Sequence, residues 1–552
     1  MGIEGGEVGV AGDGFYKSEL HTYNAQKLRK RRARKMRGDM DGGEHRNLVL
    51  VLLVSALAIA AAVFHFRWRR SKKRLSLPPG PSGWPLVGNL FQVVFSGKPF
   101  MYVVRDLREQ FGSIFTLKMG QKTLIIITSP ELAHEALVEK GTLFASRPPD
   151  TPTKLLFSAN KFSVNSAEYG PFWRALRRNL VSEMLNLNRV KDFSWIREWA
   201  MDRLVDRLQE EAARSPESSV KVLSNIRFSI FSILLCMCFG ARLGEDVITR
   251  VDKVMKDILV IVEPQIHDFL PLLAPLFFKR WKRIKELRRT QIDSILPLIN
   301  RRRSLLKERN SGWEPEGCDG AHAYIDSLIN LEVEGREKPT DEELVTLCSE
   351  LLTAGTDTTA TALEWALARM VMHPDIQGKV HDEILRVVGN KRKVTDADVE
   401  HLPYLNAVVK ETLRRHPPGH FVLSHAATHD CQLRGYDIPA KANVEFYTAS
   451  VSFDPHIWPN PMEFNPDRFL DPENDVDITG SKHVKMMPFG VGRRICPALG
   501  LGTLHINLIL ARMVQAFLWS PSPAQPPDLT EMFAFTVVMK NPLHASISKR
   551  AP

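Results

Sequence analysis

One cysteine stands in the stretch that most constrains the fold of this chain, Pro-Phe-Gly-Val-Gly-Arg-Arg-Ile-Cys-Pro-Ala at residues 488–498. The two glycines have no Cβ, so the backbone can turn sharply and approach a flat group closely. Pro497 is favoured at a first helical position, and residues 499–519 are apolar on nearly every side. We therefore predict a buried helix whose N-terminus holds Cys496 and stabilises its thiolate, the form that binds a metal or attacks carbon.

A long helix is predicted from Thr340 to Met372. Thr340 and Glu343 form a capping box at its start, and a His-Pro dipeptide follows its end. Its middle, Ala-Gly-Thr-Asp-Thr-Thr at 354–359, is poor helix material. Glycine costs about 1 kcal/mol against alanine there, and threonine hydroxyls compete for backbone carbonyls. We expect a local distortion in this stretch.

Two residue pairs share one face of shorter predicted helices. Trp173 and Arg177 are four residues apart, and Glu411 and Arg414 are three apart on a helix over 404–416. Taken alone, the first pair is either a surface arginine over a core tryptophan or an arginine that binds a carboxylate. The second pair alone is an ordinary surface ion pair.

The sequence also predicts β-structure and apolar walls. Residues 114–118 and 124–128, separated by glycine and polar residues, are typical of a β-hairpin, and residues 421–425 of a strand. Residues 157–164 and 264–276 are apolar, which indicates a hydrophobic ligand if they line a pocket.

The N-terminal part differs in composition from the rest. Residues 1–47 are too poor in large apolar side chains to offset ordering entropy, so we expect disorder. Residues 48–64 contain one polar residue and are long enough to cross most of a membrane. A cleaved signal peptide is the alternative, but the basic cluster that follows is typical of stop-transfer. The predicted organisation is a disordered basic extension at 1–47, a transmembrane anchor at 48–66, a basic and Pro-rich hinge at 67–90 and a catalytic domain at 91–552.

The formal net charge of +11 is concentrated in two runs. Residues 27–37 carry eight Lys or Arg and residues 67–74 carry six, so the remainder carries −3. The catalytic body is therefore not basic, and we expect no nucleic-acid partner. Alone, the first run is typical of a nuclear-localisation or RNA-binding patch, but its nearness to an apolar segment favours phospholipid headgroups. The six cysteines show no paired or zinc spacing and fit a reducing compartment.

Phe489, Gly492, Arg494 and Cys496 form the pattern Phe-x-x-Gly-x-Arg-x-Cys, which resembles the haem-binding signature of the cytochrome P450 superfamily. The family's usual last glycine is Ala498 here, a change that removes no ligand. The resemblance implies haem b with Cys496 as the axial iron ligand. It also implies a mainly α-helical fold with a small β-rich lobe, the cytochrome P450 fold, behind one N-terminal transmembrane helix.

Other motifs stand in the order that the family uses. The Ala-Gly-Thr-Asp-Thr-Thr stretch resembles its oxygen-activation motif, in which Asp357 and Thr358 would pass protons within a polar notch. The Trp173–Arg177 pair is similar to one that reaches a haem propionate. His425 stands where relatives often place a propionate-binding residue.

A further element, Asn-Pro-Asp-Arg-Phe, ends at Phe469 and resembles the family's Pro-x-Arg-Phe element. The resemblance implies that Arg468 completes a cluster with Glu411 and Arg414. This cluster would hold the loop before Cys496, which is a structural role and not a catalytic one.

The resemblance to plant microsomal members implies insertion of one oxygen atom from O2 into a hydrophobic small molecule, since a cysteinate ligand favours O–O cleavage. The resemblance also implies electrons from NADPH through a separate NADPH–cytochrome P450 reductase. The chain has no Gly-x-Gly-x-x-Gly fingerprint, so we do not expect it to bind the dinucleotide itself. The implied location is the endoplasmic reticulum membrane with a cytosolic catalytic domain. Residues 414–420 resemble a branch that acts on fatty acids or tetrapyrrole catabolites. The alternatives are an oxygen-independent isomerase or lyase of fatty-acid hydroperoxides and a non-catalytic membrane haemoprotein.

The charge distribution predicts a working start at or near Met40. From there the flank before the apolar run carries −1, against +6 over residues 67–74, so the second flank stays cytoplasmic. With the longer start, the two flanks compete. A plastid transit peptide is the alternative for residues 1–39, but their acidic residues are unlike such peptides.

Overall fold

The computed structural model describes residue 55 and residues 75–215, 217–310, 322–471 and 476–550. The predicted leader, the start at Met40, both basic runs and, apart from Ser55, the predicted membrane anchor lie outside the described residues. A compact unit begins at Leu77, so the last part of the predicted hinge packs against the globule. There the Thr116 N–H donates to the Pro79 carbonyl at 2.7 Å.

The described unit is mainly helical with small sheets, as predicted. Its α-helices, numbered in chain order, are α1 Leu90–Phe95, α2 Phe100–Phe111, α3 Pro130–His134, α4 Pro152–Phe157, α5 Pro171–Leu180, α6 Leu187–Asp192, α7 Ser194–Arg214, α8 Val222–Phe239, α9 Glu245–Ile261, α10 Ile266–Phe269, α11 Phe278–Asn310, α12 Tyr324–Ile329, α13 Asp341–Met372, α14 Pro374–Val387, α15 Pro403–Arg415, α16 Thr448–Ser452 and α17 Leu499–Ala516.

The strands are β1 Ile114–Met119, β2 Lys122–Ile127, β3 Ser219–Lys221, β4 Cys431–Leu433, β5 Tyr436–Ile438, β6 Asn443–Phe446, β7 Phe517–Pro521, β8 Glu531–Ala534, β9 Thr536–Met539 and β10 His544–Lys549. One sheet has the order β1-β2-β6, with β1 and β2 antiparallel and β2 and β6 parallel. A second, antiparallel sheet has the order β3-β10-β7, and β4–β5 and β8–β9 are hairpins. The predicted hairpin is thus confirmed as β1 and β2.

Helix α13 lies at the centre of the largest hydrophobic core and packs against α8, α14, α15 and α17. Its predicted start is confirmed by both bonds of the capping box. The Thr340 N–H donates to Glu343 Oε2 at 2.8 Å, and the Glu343 N–H donates to Thr340 Oγ1 at 3.3 Å. Its predicted end at Met372 is also confirmed, because α14 begins at a proline two residues later.

Among the described residues, one helix is long and apolar enough to cross a membrane, namely α8. Most of it, 83%, is buried inside the globule, where it packs against α7 and α13. Its apolar surface therefore belongs to the core of the protein.

The strand predicted over residues 421–425 is wrong in part. Only two isolated bridges form there, Phe421 with Tyr447 and His425 with Val444. The carbonyls of Leu423 and Ser424 between them accept hydrogen bonds from the Arg147 side chain. These two carbonyls therefore face a guanidinium group and not a neighbouring strand.

Candidate active site around Cys496

The loop that precedes α17 folds back on itself and fixes Cys496. Gly490 and Gly492 have φ of 70° and 73°, a left-handed conformation that glycine adopts without strain. Gly492–Arg494 forms a single turn of 3-10 helix. The Cys496 N–H then donates to the Phe489 carbonyl at 2.8 Å, which closes the loop.

The two glycines of the loop meet different surroundings. A Cβ on Gly492 would lie 1.9 Å from the Leu137 carbonyl oxygen, so this glycine permits close contact with protein backbone. A Cβ on Gly490 would meet only a Val422 methyl group at 3.8 Å. The loop therefore leaves space for a flat group at Gly490, whereas Gly492 lets the loop pack closely against the backbone at Leu137.

We expect Gly492→Ala to destabilise the protein by more than about 1–3 kcal/mol, the cost of a left-handed non-glycine residue, because the clash with Leu137 adds to that cost. Gly435→Ala is the matched control, since Gly435 has φ of 79° and a Cβ there meets nothing within 4 Å. Urea unfolding of both variants measures the difference. Equal losses would show that the contact with Leu137 is unimportant.

The prediction that Cys496 lies directly at a helix N-terminus is wrong by two residues. Pro497 lies in a turn, and α17 begins at Leu499 after an N-cap at Ala498. Burial raises the pKa of the Cys496 thiol above its usual value, against the lowering effects of the Ala498 N–H and the Arg177 guanidinium. The helix end alone therefore does not produce a thiolate, and a bound cation would have to supply the missing stabilisation.

Two guanidinium groups lie beside the ring of Trp173, close to the cysteine loop. The Cζ of Arg494 lies 4.4 Å from the ring centroid, and that of Arg177 lies 5.7 Å away. The Trp173 indole N–H donates to the Val164 carbonyl at 3.0 Å, which fixes the ring. Arg177 donates to the Ile495 carbonyl at 2.6 Å, directly before Cys496. The structure therefore brings Trp173, Arg177, Arg494 and the cysteine loop together.

Arg147 was missed by the sequence analysis and completes this group. Its guanidinium donates to the carbonyls of Asn165, Leu423 and Ser424 at 2.8–3.0 Å. Burial lowers the pKa of Arg147 to about 10. In the sequence, Arg147 stands between a serine and a proline and belongs to no periodic pattern that would indicate a site.

The three arginines of this group bond to backbone carbonyls. Within the described part of the chain, Arg147, Arg177 and Arg494 bond to carbonyls and form no ion pair with a carboxylate. Burial, followed by repulsion from Arg147 and Arg177, lowers the pKa of Arg494 to about 9. The nearby Glu350 carboxylate instead accepts from the N–H groups of Val164 and Asn165. The arrangement therefore suits an anionic ligand.

His425 is buried beside this group but carries no charge. Its Nδ1 bonds to the Phe144 carbonyl at 2.8 Å, and since a carbonyl only accepts, Nδ1 carries the proton. Burial lowers the pKa of His425 to about 3. In this state Nε2 is an acceptor, so the expected bond to a propionate would require protonation of the ring.

The middle of α13 is a continuous helix, so the distortion predicted over 354–359 is absent from its secondary structure. A Cβ on Gly355 would lie 2.8 Å from a Leu234 methyl group of α8, so this glycine permits close helix packing. The Thr358 hydroxyl donates to the Ala354 carbonyl at 2.7 Å within the helix. Ala354 is exposed, whereas the residues around it in α13 are half-buried or buried, and Thr358 lies one turn further along the same face.

Asp357 points towards α8, away from the face that carries Thr358. Its Oδ1 accepts from Nη1 of Arg227, and its Oδ2 is buried with no hydrogen-bond partner among the described residues. Burial raises the pKa of the Asp357 carboxyl, against the lowering effect of Arg227. No direct hydrogen bond joins Asp357 to Thr358 in this part of the chain.

The Glu411–Arg414–Arg468 cluster is present and buried. Arg414 donates to both Glu411 oxygens at 2.7 and 2.8 Å, and Arg468 donates at 3.3 Å. The Glu411 carboxylate also accepts from the Asn465 N–H at 2.9 Å. Arg414 reaches the carbonyls of Ser452, Pro461 and Glu463 as well. The cluster therefore fixes the loop at 459–465 to α15. This loop precedes Cys496 in the chain but is separated from it by about thirty residues.

The comparisons with known proteins agree with the geometry. The Cytochrome P450 family model matches residues 78–547. The chain is 36% identical over 522 residues to Cytochrome P450 89A9 of Arabidopsis thaliana, covering 91% of this chain and 99% of that protein. It is 31% identical over 529 residues to Flavonoid 3'-monooxygenase CYP75B3 of Oryza sativa subsp. japonica, covering 90% and 96%. A solved structure of a zebra fish cytochrome P450 with abiraterone is 23% identical, with a TM-score of 0.67 over 82% of this chain and 100% of that chain.

This chain belongs to the cytochrome P450 family. It is therefore an oxidoreductase of the monooxygenase type, and its fold is the cytochrome P450 fold. The family implies haem iron with a cysteine thiolate ligand, a redox partner and hydrophobic substrates.

The residues around Cys496 fit haem. Haem b has a flat ring system, two carboxylates and an iron that accepts a thiolate. The chain offers one half-buried thiol, open space at Gly490 and three arginines without carboxylate partners among the described residues. Cys496 would hold the iron, and Arg147, Arg177 and Arg494 would hold the carboxylates.

Proposed function

We propose that this cytochrome P450 inserts one oxygen atom from O2 into a hydrophobic small molecule, with electrons from NADPH delivered by NADPH–cytochrome P450 reductase. The observation that carries this proposal is the placement of Cys496 on the loop that Arg177 and Arg494 hold, within a group of three arginines that bond to carbonyls and form no ion pair in the described part of the chain. A thiol ligand and a receptor for two carboxylates are what haem b requires at one site. Similarity to a named flavonoid monooxygenase over 90% of this chain supports the reaction class.

The residues of the site have different roles. When bound, haem iron with a thiolate ligand supplies the activation of O2. The Phe489 carbonyl holds the backbone of Cys496, and the arginines would neutralise the two carboxylates of haem. The guanidinium groups of Arg177 and Arg494 both lie near the ring of Trp173, whose face attracts cations.

Thr358 and Asp357 would supply protons from α13. Thr358 is half-buried and lies one turn after the exposed Ala354, to whose carbonyl its hydroxyl donates. Asp357 is a buried carboxyl with one free oxygen, so it can hold a proton at Oδ2. Because no direct hydrogen bond joins them in the described structure, ordered water would have to connect the two groups.

We expect Thr358→Ala to leave haem binding intact and to raise the ratio of hydrogen peroxide formed to NADPH consumed severalfold. The hydroxyl would pass protons, whereas electron supply does not depend on it. Thr356→Ala is the control, because the Thr356 hydroxyl makes the same bond to an i−4 carbonyl at 2.7 Å but is fully buried on another face. A reconstituted system with added reductase provides the measurement. An unchanged ratio would favour an oxygen-independent isomerase or lyase.

A membrane location is supported by apolar side chains that flank one hydrophobic cluster. Phe95 of α1 is 79% exposed, and Leu272 and Leu276 after α10 are 90% and 74% exposed. Both segments adjoin the core that contains Leu90 and contacts Phe269. The predicted pocket wall at 264–276 is therefore partly on the surface. We propose that these side chains meet a membrane to which residues 48–66 anchor the chain, with the catalytic domain in the cytosol at the endoplasmic reticulum.

A carbon monoxide difference spectrum of the reduced protein tests the haem-thiolate assignment. We expect the spectrum typical of a thiolate ligand. NADPH-dependent oxygen consumption in the presence of reductase then separates a monooxygenase from the two alternatives. A thiolate spectrum without any NADPH-dependent consumption would contradict the proposed reaction and leave the haem site in place.

A further inference from the structure

Arg227 of α8 joins two carboxylates from two other helices. Its Nη1 donates to Asp357 of α13, and its Nε donates to Oδ1 of Asp252 on α9 at 2.9 Å. The Arg227 side chain is buried, at 6% exposure, and the two carboxylates are nearly so. One guanidinium is therefore shared by the carboxyl placed in proton delivery and by a carboxylate of a different helix.

The shared guanidinium belongs to a line of four charges that leads to the surface. Lys256 of α9 is half exposed, and its Nζ lies 2.7 Å from Oδ2 of Asp252. The charges alternate along Lys256, Asp252, Arg227 and Asp357, so the line is neutral when all four are ionised. These are the charged groups that act on Asp357 from the elements packed against it.

We propose that Arg227 is a positioning residue for Asp357, and that Asp252 competes for the same guanidinium, so that α9 controls how firmly Asp357 is held. The proposal rests on the proposed role of Asp357 in the monooxygenase reaction. Asp252 bonds to Nε and Asp357 to Nη1, so the two carboxylates use different donors but share the one positive charge of the guanidinium. If α9 moved, the distance between Asp252 and Arg227 would change. The hold of Arg227 on Asp357, and with it the charge state of Asp357, would then change although the two carboxylates do not touch.

The competition predicts opposite effects for two substitutions. Arg227→Gln removes the cation that lowers the pKa of Asp357, so the carboxyl stays protonated to higher pH. Asp252→Asn removes an anion that raises the pKa of Asp357 and leaves Arg227 to Asp357 alone, so the carboxyl ionises at lower pH. A purely structural role would move both variants in the same way.

The test uses the haem-loaded full chain and two readouts. The first is the infrared carboxyl absorption of Asp357 against pH, isolated by subtraction of the Asp357→Asn spectrum. The second is the ratio of hydrogen peroxide formed to NADPH consumed against pH, with reductase and without an added organic substrate. We expect Arg227→Gln to shift both midpoints upward by about one pH unit or more, and Asp252→Asn to shift both downward. Arg227→Lys keeps the charge and should return the midpoints towards the wild-type values.

Arg302→Gln is the matched control. Arg302 of α11 is also buried and donates to Asp326 of α12 at 2.7 and 2.6 Å. Its replacement therefore lowers stability in the same way as that of Arg227, by leaving a buried carboxylate without its cation. It should move neither midpoint. Shifts of the same sign in Arg227→Gln and Asp252→Asn, or an equal shift in Arg302→Gln, would overturn the proposal. Infrared shifts as expected with an unchanged peroxide ratio would support the role of Arg227 and contradict the role of Asp357 in the proposed function.

Discussion

Cys496→Ser is expected to abolish the thiolate-type carbon monoxide spectrum of the reduced protein and all NADPH-dependent turnover. Burial already raises the pKa of the thiol, so the anion forms only through its bond to iron. An alcohol is a far weaker acid than a thiol and cannot supply a comparable anionic ligand there. The three arginines remain in Cys496→Ser, so some haem can still be retained in a different coordination state.

Cys431→Ser is the control for this experiment. Cys431 of β4 is, like Cys496, only partly buried, but it packs against the smaller core beside the first sheet. The control should keep the wild-type spectrum and turnover. If Cys496→Ser kept the thiolate spectrum, the assignment of the axial ligand would be wrong. Loss of the spectrum in both variants would show a general effect of cysteine replacement.

Glu411→Gln is expected to lower the free energy of unfolding by about 3–5 kcal/mol, because it leaves the buried charge of Arg414 without its counter-ion. Glu411 and Arg414 are both fully buried, and Arg414 gives two donors to the carboxylate. The amide of glutamine also places N–H groups against a guanidinium. Urea unfolding of the holoprotein, with haem content measured alongside, provides the test.

Glu364→Gln is the matched control, since Glu364 of α13 is also fully buried but, among the described residues, bonds to a backbone N–H and pairs with no cation. Its carboxyl accepts from the Leu543 N–H at 2.9 Å. Burial raises the pKa of Glu364 to about 7, so a neutral amide is a mild replacement there. We expect a loss of less than about 1 kcal/mol. Equal losses in the two variants would contradict the importance of the ion-pair cluster.

Local signals in the sequence predicted much of the fold. The capping box at Thr340 and the proline after Met372 fixed both ends of α13, because each acts through neighbours within four residues. The β1–β2 hairpin was predicted for the same reason. The cysteine motif led to the right loop, since its glycines and its cysteine act within ten residues of one another.

Features that depend on distant contacts could not be predicted from local patterns. Arg147 and Arg227 have no signal in their own segments, because their partners lie on elements far away in the chain. Gly355 was expected to distort α13, but it packs against Leu234 of α8 without a break. The apolar run behind the cysteine continues to Trp519, but α17 ends at Ala516, and residues 517–521 pair with β10 in a sheet.

The effect of burial on side-chain pKa values could not be predicted from the sequence either. The position of Cys496 near a helix start predicted a lowered thiol pKa, whereas burial dominates and raises it. Similarly, His425 was expected to bind a carboxylate, but burial, followed by repulsion from Arg147, lowers its pKa to about 3 against the raising effect of the Phe144 carbonyl. Such balances depend on how much water the folded chain excludes, which no spacing of residues reveals.

Incorporation of isotopic oxygen tests the central claim most directly. A screen of lipids, terpenoids, phenolics and tetrapyrroles for substrate-induced changes in the haem spectrum would supply a substrate. Turnover of that compound with NADPH and reductase under 18O2 should then give a product that carries one labelled atom, with the second atom recovered in water. A product that forms without NADPH, or that carries no label from 18O2, would contradict the monooxygenase assignment.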